Sequence, residues 1–179
     1  MTQTKKMLNP QPQFKLEKGW VEYLKNIELF SEISSNDEAL KKIAMLLEER
    51  FITAGENIII EGVPGSEMFI LIHGKASVYK STTEGELYKV AVFDGKVSTH
   101  FGEGGLLETD ARSATIKADT DCYCLVWNQE YFEQFCKDEP ELALPVLRRV
   151  ARGVLSRLKK TNEDLSLLYH ALVAEIRGG

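Results

Sequence analysis

Positive charge is the first thing this chain lacks. Lysine and arginine number 22 against 27 aspartates and glutamates, a net charge of −5. A nucleic-acid-binding domain would show the opposite balance, with a basic patch or a high isoelectric point. Cysteine is scarce and odd in number: Cys122, Cys124 and Cys136, with no secretory context, read as reduced thiols and not as a disulfide framework. Long apolar runs are missing too, and none approaches the ~18 residues of a membrane span. Met1 to Phe14 carries two lysines with no apolar stretch behind them, so it is not a secretory signal. The chain is therefore expected to be soluble and cytoplasmic, with no membrane and no nucleic-acid partner of its own. Nor is there a Walker lysine motif, a nucleophile elbow or a His-Glu-x-x-His, so nothing argues for catalysis.

What is present suits one domain with an extension, since 179 residues can bury a real core. Residues 1–14 are polar, hold two prolines and are expected to be disordered. Trp20, Val21, Leu24, Ile27 and Phe30 recur at helical spacing and predict a helix over 20–30. Ser34-Ser35-Asn36-Asp37 offers an N-cap to a second amphipathic helix over Ala39–Leu47. The period then changes. From Phe51 to Val126 the chain breaks into short β-like runs: Asn57–Ile60, Met68–Ile72, Ala76–Lys80, Leu87–Phe93, Ser113–Ala118 and Cys122–Trp127. Between them Val63-Pro64-Gly65-Ser66 fits a type II turn with Gly65 at positive φ. Many short strands with regular turn signals predict a jelly-roll barrel. After Trp127 helical spacing returns, with Asn128 or Asp138 as caps and with Pro140 and Pro145 where first-turn prolines are tolerated. The expected class is α+β: a jelly-roll barrel flanked by N-terminal helices and a long C-terminal helix.

One stretch, Phe101 to Ile116, concentrates the chemistry. It opens on the glycine-rich turn Gly102-Glu103-Gly104-Gly105 and runs through Leu106 and Leu107 into a helix start. A turn whose amides point outward before a helix N-terminus is a ready anion site. Arg112 can bring a planar fork of donors to the same anion. Glu103 repels phosphate, so its natural partner is a neutral donor such as a sugar hydroxyl. Phosphate and ribose together mean a nucleotide. The turn is not a dinucleotide loop, because position 107 is Leu where G-x-G-x-x-G needs its third glycine.

This order of residues resembles the phosphate-binding cassette of the cyclic-nucleotide-binding domain family. The matching positions are Gly102-Glu103, Gly105, Leu106 and Arg112-Ser113-Ala114; Gly104 departs, since the family more often has an apolar side chain there. The segment Glu61 to Gly74 is similar to the same family's Gly-x-x-Gly, apolar run, Gly arrangement. Val63 departs from it where a polar residue is commoner. The resemblance covers roughly residues 24–175. It implies that Glu103 takes the ribose 2′-hydroxyl, that Arg112 takes the cyclic phosphate, and that amides around Gly105 and Leu106 complete the cradle. It also implies that Ser113 touches phosphate, or the guanine amino group if the base turns syn.

From Leu147 onward apolar residues recur in steps of four and three: Leu147, Ala151, Val154, Leu158, Thr161, Leu165, Leu168 and Leu172. That narrow stripe is a coiled-coil seam and predicts a parallel homodimer; the plainer alternative is a helix lying against its own barrel. Leu155, Leu167 and Val173, off the seam, are candidates for barrel contact. One residue on that seam is polar, Thr161, followed by Asn162; polar groups in such an interface serve register or a ligand. In the catabolite-activator type of this family the dimer helix carries a Thr-Ser pair that touches adenine, and Arg157 to Asn162 is similar to that segment. The resemblance then implies cAMP in preference to cGMP, although cGMP is possible.

The domains expected are therefore 1–14, disordered; 15–140, the cyclic-nucleotide-binding domain; and 141–179, the C-terminal dimerisation helix. The function implied is a non-enzymatic cyclic-nucleotide-binding regulatory module. A cupin-type metalloenzyme built on His73, His100 and Glu103 is the alternative from another class, though such sites normally need more imidazoles. A degenerate barrel used only for protein interaction is the other, and intact Glu103 and Arg112 speak against it. Cys122-x-Cys124, with no second ligand pair, reads as core packing. A helix-turn-helix output domain does not fit after Ile176, so the chain is either a stand-alone sensor or a fragment.

Overall fold

The computed structural model describes residues 19–97 and 99–178; the disorder expected over 1–14 falls outside them. At the N-terminal end stand α1 (Gly19–Leu24), a 3-10 turn (Glu28–Ile33) and α2 (Asp37–Ala44). Ten strands follow: β1 (Leu47–Ile52), β2 (Asn57–Ile59), β3 (Pro64–Gly65), β4 (Glu67–His73), β5 (Lys75–Ser81), β6 (Leu87–Asp94), β7 (His100–Phe101), β8 (Asp110–Ala111), β9 (Thr115–Ala118) and β10 (Cys122–Asn128). The short helix α3 (Gly104–Leu107) lies between β7 and β8, and α4 (Gln129–Asp138) and α5 (Pro140–Gly178) close the chain. The strands form two four-stranded antiparallel sheets, β1-β10-β4-β7 and β2-β9-β5-β6, with β3 and β8 as a separate pair. This is the α+β barrel flanked by helices that the sequence predicts.

Two strands explain why the barrel needs its helices. β4 and β10 are buried on both faces, so they read as continuous apolar runs and not as alternating ones. Phe69 and Leu71 face the barrel interior together with Cys122, Cys124, Ile116 and Phe101. Met68, Ile70, Leu125 and Trp127 face the other way, into a layer supplied by α1, the 3-10 turn, α2, α4 and the start of α5. Trp127 is that layer's centre: its ring lies 5.0 Å from Phe132, 5.5 Å from Phe135 and 6.2 Å from Phe30. Cys122 and Cys124 share the inner face as free thiols, and burial pushes the Cys124 thiol up.

The structure corrects several local expectations. The helix predicted over 20–30 ends at Leu24, because Asn26 donates its side-chain amide to Glu22 O and Ile27 is extended (ψ 125°). Ile27 and Phe30 keep their burial through the 3-10 turn instead. The helix predicted to Leu47 ends at Ala44, capped at its start by Asn36, whose side chain accepts from Ala39 N at 3.0 Å. Residues 47–52 become the edge strand β1. Glu48, Glu49 and Arg50 hid it, yet the first of the sheet's cross-ties come from there: Arg50 makes a bidentate pair with Glu67 (2.7 and 3.0 Å), and Tyr123 donates to Glu49. Gly65 is not a positive-φ turn residue but part of β3, paired with Asp110. The strand expected from Ser113 begins at Thr115, because Arg112 N–H is drawn to Val63 O and Gly62 N–H to Arg112 O.

Asn128 caps α4 by accepting from Glu130 N at 2.9 Å, while Asp138 ends that helix without capping the next. Pro140 opens α5, but Pro145 lies inside it, past the first-turn positions where a missing N–H costs nothing. Ala143, Val146 and Val150 seat the first turns of α5 in the core beside Trp127. Beyond Arg157 the helix leaves the domain. Leu158 is 54% exposed, Leu165 63% and Leu168 68%, and Leu155 and Leu167 are exposed as well, so those two do not rest on the barrel.

Candidate functional site

β7, held to β4, delivers the chain into Gly102, whose φ of 79° turns it sharply toward α3. Beyond α3, the pairing of β8 with β3 returns the chain so that Arg112 lies against the same turn. Gly102, Glu103, Gly104, Gly105, Arg112 and Ser113 thereby line one cavity of about 300 Å3, with Ile59 and Ala114 on its apolar side. That is the low end of small-molecule sites. Leu106, expected beside them, turns its side chain under α3 and into the core.

Arg112 is half-buried, with Nη1 donating to Gly102 O at 3.0 Å and Nη2 to Glu67 O at 2.7 Å. Two carbonyls thus fix the plane of the guanidinium while others of its five N–H groups stay available. Burial pulls its pKa down, which leaves it protonated all the same. Glycine makes this seat possible. A Cβ on Gly65 would stand 2.4 Å from Arg112 Nε, and one on Gly105 2.6 Å from Nη1, whereas one on Gly104 would meet nothing within 4 Å. The amides of Gly105 and Leu106, expected to face an anion, donate to Gly102 O and Glu103 O, each at 3.0 Å. Those i to i−3 bonds tighten the first turn of α3 and satisfy its leading N–H groups internally.

Glu103 is buried, and its partner here is a cation and not a neutral donor: Arg157 of α5 donates to Oε1. His100 Nε2 approaches the same oxygen at 3.4 Å. Sequence reasoning missed Arg157 as a site residue. The signal was available, since it lies four residues before Thr161 and so on the same side of one helix. Arg149 and Arg152 line a second cavity of about 590 Å3 beside Arg157 and His100, and both pair with Glu32 of the 3-10 turn.

The rim opposite α5 is tied down by Glu61. Its carboxylate accepts from Ser81 N, Ser81 Oγ and Lys80 Nζ at 2.6–2.9 Å, and these bonds hold it at about 2. Lys80 also donates to Ser113 O, so the end of β5 is fastened to the residue after Arg112. Thr161 and Asn162 are not brought to the cradle within one chain. Both are exposed on α5, about 6 and 7.5 Å along its axis past Arg157. Thr161 Oγ1 donates back to Arg157 O at 3.0 Å, which leaves its lone pairs to accept. Among the described residues no three His, Cys, Asp or Glu stand together as a metal site. No described helix is long and apolar enough to cross a membrane.

The family model for the cyclic nucleotide-binding domain matches residues 49–139. The chain is 32% identical over 142 residues to cGMP-dependent protein kinase 2 of Homo sapiens, covering 79% of this chain and 18% of the kinase. It is 39% identical over 98 residues to the cAMP-dependent protein kinase regulatory subunit of Mycosarcoma maydis, covering 54% of this chain and 17% of that protein. It therefore spans less than a fifth of the length of these relatives. Among solved structures, the N-terminal domain of a transcriptional regulator from Streptomyces coelicolor A3(2) superposes with a TM-score of 0.64 at 27% identity, covering 79% of this chain and 94% of that one. The catabolite activator protein of Thermus thermophilus does so with a TM-score of 0.65 at 23% identity, covering 73% and 59%.

Proposed function

Because the chain belongs to the cyclic nucleotide-binding domain family, we propose that it is a non-enzymatic regulatory module that takes cAMP in preference to cGMP and signals as a homodimer through α5. The observation that carries this reading is the convergence of Arg112 and Glu103 on one cavity whose glycines leave no room for a side chain beside the guanidinium. Arg112 and Ser113 take the cyclic phosphate, and Glu103 takes the ribose 2′-hydroxyl alongside Arg157, which holds its Oε1. Residues 15–140 act as the sensing domain and 141–179 as the signalling helix. Three free thiols support a cytoplasmic setting.

The dimer reading rests on the exposed seam of α5. Leu158, Leu165, Leu168 and Leu172 follow heptad spacing and face solvent in the single chain, a stripe that a second copy would bury. In that arrangement Thr161 and Asn162 of one or both helices meet the base. An adenine amino group needs an acceptor, which a Thr hydroxyl or Asn amide oxygen supplies. An unpaired polar group there costs about 1–3 kcal/mol, enough for a preference of roughly ten- to a hundredfold. Calorimetric titration with cAMP and cGMP tests this: cAMP binds more tightly, and Thr161→Val narrows the gap while leaving phosphate recognition intact. Equal or tighter cGMP binding by the unchanged chain would refute base reading by α5.

A further inference from the structure

His100 is the one imidazole packed against both the cradle and α5. Its ring sits on β7, three residues before Glu103, with only 17% of the side chain exposed. Among the described residues its Nε2 has no hydrogen-bond partner, although it is buried. Nε2 stands 3.4 Å from Glu103 Oε1 and 3.2 Å from where a Cβ of Gly153 would be, so the imidazole presses on the α5 backbone where that helix has no side chain. Arg157, one turn further along α5, holds the same Glu103 oxygen. The charged groups around the ring are thus Glu103 on the cradle, Glu28 on the 3-10 turn, and Arg149, Arg152 and Arg157 on α5.

We propose that His100 is a positioning residue whose protonation loosens the seat of α5 on Glu103 and thereby weakens nucleotide binding in mildly acidic solution. The inference rests on the cyclic-nucleotide reading and adds a proton to it. A proton on His100 places a new cation beside Arg157, in a pocket that withholds water from it, and gives Glu103 a second cationic claimant. Burial pulls the imidazole below its ordinary 6.5; Arg157 adds to that pull, while Glu103 and Glu28 oppose it. The sign follows. The seated helix favours neutral His100, so seating is at full strength above about pH 6.5 and weakens as the pH falls below that value, where a lifted helix would bind the proton. With one proton linked to seating, affinity changes by at most about tenfold between pH 7.5 and 5.5.

The test is calorimetric titration of the whole chain with cAMP at pH 7.5 and 5.5, for the unchanged protein, His100→Phe and His100→Gln. The expected result is a three- to tenfold weaker Kd at pH 5.5 for the unchanged chain and less than a twofold change in both variants. An NMR titration of the unchanged protein keeps the test open if a variant fails to fold: the His100 midpoint should move lower when cAMP is added. Tight binding with the same Kd at both pH values, a variant that keeps the pH dependence, or an unmoved midpoint would overturn the proposal alone. Absence of cAMP binding at pH 7.5 would overturn the underlying reading with it.

Discussion

Two adjacent glycines of the cradle turn should respond to alanine in opposite ways. At Gly105 a Cβ would lie 2.6 Å from Arg112 Nη1, 2.8 Å from Gly65 O and 2.9 Å from Glu67 N. Two of those neighbours are backbone atoms tied into β3 and β4 that cannot give way cheaply, so the turn itself must shift and the guanidinium with it. Displacing Arg112 removes charge-assisted hydrogen bonds to phosphate worth about 1.5–3 kcal/mol, a loss of roughly ten- to a hundredfold in cyclic-nucleotide affinity. At Gly104 a Cβ meets nothing within 4 Å, and φ there is not positive. Alanine at that position should keep affinity and stabilise the fold by about 0.4–1 kcal/mol, roughly 1–4 °C in Tm at this chain length. Calorimetry and thermal melts of Gly104→Ala and Gly105→Ala measure both effects. Gly105→Ala binding as tightly as the unchanged chain, or Gly104→Ala binding as poorly as Gly105→Ala, would refute the packing argument.

Three further outcomes are expected. Glu61, held at about 2 by Ser81 and Lys80, contributes stability that is complete above its ordinary 4.5 and lost as the pH falls through about 2; thermal melts between pH 5 and 2 should therefore fall less steeply for Glu61→Gln. Leu165→Lys, placed at an exposed seam position, should convert a dimer to a monomer in sedimentation equilibrium without lowering the Tm of the barrel measured on the monomer. Trp127→Ala should cost about 3–5 kcal/mol in denaturant unfolding, since three aromatic rings lean on it.

The barrel was legible because its two central strands are apolar without interruption and its turns are marked by glycine. The edge strand β1 was not, since an edge tolerates Glu48, Glu49 and Arg50, whose cross-strand partners lie far away in sequence. That Glu103 and Arg112 come together on one cavity was legible from chemistry and order alone. What spacing could not convey was the second use of the turn's glycines, which clear space for the Arg112 fork, and the closing of the α3 amides on their own turn. Arg157 was passed over, and His100 considered only as a metal ligand, for a related reason. Their meaning depends on where α5 crosses β7, and nothing in either segment taken by itself marks that crossing.

Binding of cAMP by the unchanged chain and by Arg112→Ala, followed in parallel by calorimetry with melts confirming that both are folded, tests the cradle most directly. The geometry around Arg112 predicts saturable binding at one site per chain, weakened roughly ten- to a hundredfold or more by the substitution. A folded, unchanged chain that binds no cyclic nucleotide, or a folded Arg112→Ala variant that binds it equally well, would contradict it.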